Sequence, residues 1–221
     1  DAILIMAPEP VTAAANRYYT LEFYRNVRRI LADNGFVFTM LSSSERLQSE
    51  AADLGASVYK TLRLVFPVVL VTAETQNRFF AGDQGSGLTF DRKALCERSA
   101  KAALVTEYFK PLYFLGADEI APDKTRFVEE RFASADVPLN TNIRPITYFY
   151  NLMLWSRFSG SGVEAFLGRV ERLDYRKLIC VIAFFGVVFL LIALVARSKG
   201  RSRDAQGGAH EIWGRLMAGV L

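Results

Sequence analysis

Residues 1–41 read DAILIMAPEPVTAAANRYYTLEFYRNVRRILADNGFVFTML, and this stretch decides the fold class. Ala2 to Met6 is a short apolar run of the length of a buried strand. Ala7-Pro8-Glu9-Pro10 follows as a loop, because two prolines in three residues cannot continue a ladder. Thr20 stands where a helix N-cap belongs, and Leu21, Phe23, Tyr24, Val27, Ile30 and Leu31 follow at helical spacing. Gly35 supplies the stop, and Phe36 to Leu41 is a second buried strand. The simplest reading of strand, helix and strand is a right-handed parallel crossover. The Glu9 loop then lies past the carboxyl end of the first strand, where open α/β folds bind their ligands.

Further along, Ser43-Ser44-Glu45 caps a helical region ending near Phe66, and Val68 to Ala73 forms another strand. Arg78-Phe79-Phe80-Ala81 is short and apolar, and Leu88-Thr89-Phe90 is expected to pair with it as a hairpin. Asp91 caps a helix reaching about Ala102, and a further helix is expected around Lys124 to Ala133. Strands alternating with helices indicate an α/β sheet, closing with an antiparallel edge. Such folds usually cradle a nucleotide-like cofactor in a glycine-rich loop after the first strand. The densest glycines are in Gly82-Asp83-Gln84-Gly85-Ser86-Gly87, which precede a strand-like segment instead of opening a helix. They read as a hairpin turn and not as a phosphate cradle. A cofactor loop would belong to sequence before Asp1, so the chain is expected to be a fragment of a longer protein.

The chain has 221 residues, enough for one or two domains, and 51% of them are hydrophobic. Its net charge of +4 is unevenly placed. Residues 178–221 hold five Lys/Arg and two Asp/Glu, which leaves 22 and 21 before them. The globular part therefore carries no basic excess, and a nucleic-acid partner is not expected. Cys96 and Cys180 lie in dissimilar segments and imply no disulfide framework. With His210 as the only histidine, His-dependent triads and His-rich zinc sites are excluded from residues 1–177, and no metal site is expected. Leu178 to Ala196 is a run of 19 uncharged residues flanked by Arg176-Lys177 and by Arg197, Lys199, Arg201 and Arg203. As a helix of about 28 Å it would nearly match a hydrocarbon core of about 30 Å, so a transmembrane helix is expected there. Trp213 to Leu221 reads as a membrane-surface helix or as the start of a second span. The implied organisation is an α/β domain over 1–157, a linker over 158–177 containing Gly160-Ser161-Gly162, a span over 178–196 and a basic tail over 197–221.

Two segments resemble a known family. Asp1 to Gly35 is similar to the second half of the spermidine synthase (polyamine aminopropyltransferase) fold: a strand, an acid-x-x-acid-Pro loop, then a Tyr-Thr-x-x-Phe-Tyr helix start. The portion PEPVTAAANRYYT looks most like the branch in which that domain is fused to membrane spans. Leu139 to Trp155, LNTNIRPITYFYNLMLW, resembles a segment near the end of the same domain, usually Asn-Thr-Asp followed by Arg-Pro and aromatics. The resemblance covers about residues 1–157 together with the apolar stretch after them.

It implies an incomplete S-adenosylmethionine-dependent methyltransferase-like (Rossmann-type) sheet followed by one transmembrane helix. It also implies a place in the bacterial inner membrane, with the α/β domain on the cytoplasmic side. The implied activity is transfer of an aminopropyl group from decarboxylated S-adenosylmethionine, as co-substrate of the full protein, to a small amine in polyamine biosynthesis. A methyltransferase on the same fold is a further alternative. The implied partners are the lipid membrane, the amine and a second copy of the chain in a homo-oligomer. Cofactor contacts are expected upstream of Asp1, and no bound cofactor is expected for these residues alone.

An attacking amine must be a free base, and a carboxylate can take its proton and hold the neighbouring cationic nitrogens. By resemblance, positions 6 and 9 should both be acids, yet the chain has Met6 and Glu9. Methionine accepts no proton and pairs with no ammonium. Asn142 likewise stands where an acid is usual. Glu9 is thus the candidate catalytic residue, with Tyr19, Asn140, Thr141 and Asn142 as candidate substrate contacts. Three readings follow: Glu9 works alone, the acceptor is less cationic, or the domain is catalytically idle and binds a ligand or partner. Without the resemblance, Glu9 is equally a solvated turn residue between two prolines. Tyr18, Tyr19, Phe23 and Tyr24 are candidates for an adenine or methylthio pocket, but such aromatics at a helix start are more often core or half-buried packing.

Overall fold

The computed structural model describes residues 1–44, 49–102, 106–159 and 179–191. The first elements are β1 (Ala2–Ile5), α1 (Ala13–Asn16), α2 (Leu21–Ile30), β2 (Phe36–Ser42) and α3 (Ser49–Arg63). They are followed by β3 (Val68–Val71), β4 (Gln76–Gly82), α4 (Arg92–Lys101), α5 (Tyr113–Gly116), α6 (Pro122–Ser134) and α7 (Ile146–Ser159). The opening unit forms as its sequence dictates. Thr20, extended at φ −90° and ψ 156°, accepts the Phe23 amide on its hydroxyl and starts α2. Asn34 turns the chain at φ 59°, and Gly35 follows where a Cβ would lie 2.9 Å from the Ala32 carbonyl. β1 and β2 then pair in parallel, Ala2 opposite Phe36 through Ile5 opposite Thr39.

The sheet has the order β1-β2-β4-β3, and β4 runs antiparallel to both of its neighbours. β3 therefore runs in the same sense as β1 and β2, and the three carboxyl ends share one edge. Period-two alternation separates two faces. Ile5, Val37, Thr39, Leu41, Val69, Val71, Phe79 and Ala81 are buried on one of them. There they meet Tyr24 and Val27 of α2, Leu54, Val58 and Leu62 of α3, Val128 and Phe132 of α6 and Ile146 and Tyr150 of α7. Phe132 stacks on Phe79 with ring centroids 6.4 Å apart. The other face, with Leu4, Phe36, Phe38, Met40, Leu70 and Phe80, is only partly covered. Leu4 is 63% exposed at the β1 edge.

Several expectations are corrected. Arg78–Ala81 does not pair with Leu88–Phe90: it lies inside β4, whose hairpin partner is β3. Only four residues, 72–75, join β3 to β4. A parallel return would need a dozen or more, so the connection forces an antiparallel pair. Gly82–Gly87 is not a hairpin turn. It holds a 3-10 turn over Gln84–Ser86, closed by Gly87 at φ 67°. The methyltransferase-like, Rossmann-type sheet followed by a transmembrane helix is replaced by a small mixed sheet of four strands packed with helices. Within the stretch expected to span a membrane, residues 179–191 are helical, while Leu178 and residues 192–196 lie outside the described residues. No helix among the described residues is long and apolar enough to cross a membrane. This weighs against the transmembrane helix and against the integral inner-membrane location.

The described contacts divide the chain into Asp1–Glu171 and Arg172–Leu221, and the sheet with its helices belongs to the first. α7 runs to Ser159, two residues past the expected domain boundary. Glu45, the glycines of 160–162 and the tail at 197–221 lie outside the described residues.

Candidate functional site at the carboxyl edge of the sheet

β1 ends at Ile5, and Met6, 66% exposed, begins the loop beyond it. The loop is held by its neighbours. The Ser42 amide at the end of β2 donates to Glu9 Oε1 at 2.6 Å, and the Val11 amide donates to the Glu9 carbonyl at 2.7 Å. The half-buried Glu9 carboxylate therefore ties the loop after β1 to the last residue of β2. Tyr19 ends the 3-10 turn Arg17–Tyr19 and is 1% exposed. Its hydroxyl lies 3.1 Å from the Pro8 carbonyl and 3.3 Å from those of Ala7 and Met40, so its one proton is shared among three backbone acceptors. Burial, and then the negative charge of Glu9, push the phenol well above its ordinary range. Tyr19 is thus a neutral brace under the loop.

Asn140 is fully buried, and all its polar groups are spent on the chain. Its Nδ2 donates to the Tyr19 carbonyl at 2.9 Å and its Oδ1 accepts the Thr147 amide at 3.4 Å. Its backbone N–H donates to Thr61 Oγ1, and its carbonyl accepts the Leu21 amide. Glu9, Tyr19 and Asn140 are therefore brought together as one bracing chain. Thr141 and Asn142 are not part of it. Thr141 closes a turn with Arg144, exchanging its amide for the Arg144 carbonyl and accepting the Arg144 amide on Oγ1. Asn142 is exposed, and its backbone N–H donates to Glu22 Oε2 on α2 at 3.0 Å. Of the aromatics, Tyr24 is core and Phe23 packs against it, while Tyr18 is half-exposed and meets Phe23 edge-on at 5.5 Å.

A cavity of about 570 Å³ opens on the same edge, lined by Ser44 after β2, Ala73 and Glu74 after β3, Asp118, and Asp123, Lys124 and Phe127 of α6. Glu74 makes the β3–β4 turn at φ 77°. Lys124 pairs with Glu74 and, at 2.5 Å, with Asp118. The Asp118 and Glu74 carboxylates hold the Lys124 ammonium well above its usual range, and Lys124 in turn holds the Asp118 carboxyl below its own. Two carboxylates thus pair with one ammonium, and Asp123 and the exposed Phe127 ring line the same cavity. Sequence reasoning missed Glu74, Asp118 and Asp123. Their signal was an acid just past a strand's carboxyl end and two Asp residues five apart at a helix start. Among the described residues no group of His, Cys, Asp and Glu is placed to hold a metal.

No family model matches the chain, and no curated protein is significantly similar to it.

Proposed function

We propose that the chain is a spermidine synthase-like domain that binds a small cationic amine at the carboxyl edge of its sheet and transfers nothing to it. The observation that carries this reading is the environment of Glu9. One carboxylate oxygen is committed to the Ser42 amide, and the other, with no hydrogen-bond partner among the described residues, remains to pair with an ammonium by charge. Proton abstraction asks more: a base aligned on the attacking nitrogen, with a second acid to hold the rest of the amine. Position 6 carries methionine in place of that acid. Tyr19 and Asn140, the other polar groups beneath the loop, are engaged with the backbone. The acid-lined cavity on the same edge adds negative potential, which favours a cation.

Calorimetric titration of the full chain with putrescine and spermidine tests binding, and release of methylthioadenosine from decarboxylated S-adenosylmethionine tests turnover. Saturable amine binding is expected, at least tenfold weaker in Glu9→Gln and weaker at higher salt, with no nucleoside product. Product formation that depends on Glu9 would replace this reading with the aminopropyltransferase one. Failure to bind either amine would remove both.

A further inference from the structure

The second cavity of interest lies on the opposite face of the sheet, away from the helices that cover the core. Phe36 of β2, Leu70 of β3 and Phe80 of β4 form its floor, and Phe90, Leu95 and Phe114 form its roof. Its volume is about 520 Å³, within the range of small-molecule pockets. The aromatic walls are set in place by their own contacts: Phe80 meets Phe90 edge-on at 5.9 Å and Phe36 at 6.4 Å.

Two guanidinium groups reach this cavity, and they are in different states. Arg78 is neutralised by Glu119 at 2.5 Å and also donates to Gln76. Arg98 of α4 donates one N–H to the Gly87 carbonyl at 2.6 Å. Among the described residues no carboxylate pairs with it. Gly87, at φ 67°, contributes no side chain, which leaves the ground next to Arg98 Nη1 open. The result is an apolar chamber with one uncompensated, fork-shaped cation at its rim. A few convergent polar groups on a mostly apolar pocket of this volume are the usual form of a small-molecule site. A planar guanidinium matches a carboxylate or a phosphate with two parallel bonds, and one cation beside apolar walls balances the single charge of a carboxylate.

We propose that this cavity binds an amphipathic organic monocarboxylate, with the apolar body between Phe36, Phe80, Phe90 and Leu95 and the carboxylate on Arg98. The site is separate from the carboxyl-edge site in both location and sign of charge, so the two readings stand or fall independently. Decanoate is the probe, titrated into the full chain by calorimetry and followed by chemical-shift changes of the Leu70 and Leu95 methyl groups. The expected result is one saturable site, with affinity lowered at least tenfold in Arg98→Met. Decanol should bind the native chain and Arg98→Met equally. Leu95→Trp, which fills the chamber, should abolish both; Ala117→Leu serves the same purpose if the tryptophan variant fails to fold by circular dichroism. The proposal is overturned if decanoate fails to saturate below its micellar concentration. It is equally overturned if Arg98→Met binds decanoate as well as the native chain, or if a folded filling variant still binds it.

Discussion

Asn140 sits at the meeting point of three segments distant in sequence, and its amide joins the carbonyl of Tyr19 to the amide of Thr147. Truncating it to alanine leaves a buried acceptor and a buried donor without partners. Each such group costs roughly 1–3 kcal/mol, so Asn140→Ala should lower stability by about 2–6 kcal/mol in urea unfolding. The same variant should leave amine affinity nearly unchanged, because the side chain points into the protein and not into the loop. A loss of amine binding without a loss of stability would return Asn140 to the binding site. The residue scale thus separates two kinds of polar group that look alike in sequence. Among the described residues, one Glu9 carboxylate oxygen has no hydrogen-bond partner, whereas Tyr19 spends its hydroxyl on the loop and Asn140 spends its side chain on the Tyr19 carbonyl and the Thr147 amide.

At the scale of elements, the packing of α3 on α6 depends on the absence of a side chain. A Cβ built on Gly55 would come within 2.4 Å of the Phe132 ring. Phe132 cannot retreat, because it is fully buried against Phe79 and Tyr59. Gly55→Ala should therefore cost about 1–3 kcal/mol of overpacking, offset by up to ~1 kcal/mol of gained helix propensity. Thermal unfolding should show a clear drop for Gly55→Ala alone. In a Phe132→Leu background the same change should be neutral or stabilising, and an equal loss in both backgrounds would place the strain elsewhere. Elements of this kind differ in how well the sequence announces them. The unit β1, α2 and β2 was legible because the Thr20 hydroxyl caps the start of α2 and Gly35 marks the tight turn into β2, although α2 itself already ends at Ile30. The β3–β4 hairpin was not, because its turn has no Gly or Pro and relies on Glu74 at positive φ. The glycines of 82–87 signalled a turn correctly but named the wrong partner strand. For the candidate site, the position of Glu9 past a strand end could be read locally. Its bond to Ser42, 33 residues on, and the gathering of Glu74, Asp118 and Asp123 are products of the tertiary fold, which no local pattern encodes.

Across the whole molecule, stability is distributed unevenly, and the sheet order says how. β2 and β4 are hydrogen-bonded on both sides and have one face fully buried, while β1 and β3 are edges. β1 is also short, and its pattern of exposure reaches in to Leu4. α4 has no fully buried residue at all, so it is fixed to the rest by few apolar contacts and by bonds such as those of Arg98 to Gly87 and Arg92 to Ala117. Local opening free energies follow buried contacts and double-sided pairing. Native-state hydrogen exchange should therefore find the slowest amides in β2 and β4, opening only with global unfolding. The amides of β1 should exchange earlier, and those of α4 earliest of all. Occupation of the outer cavity by decanoate should slow α4 selectively, since ligand binding stabilises the closed form by mass action and α4 supplies Leu95 and Arg98 to the site. An α4 as protected as β4 before any ligand is added would show that its hold on the sheet is stronger than its exposure indicates. Decanoate protection spread evenly over the molecule would show that the ligand senses global unfolding and not the opening of this one helix.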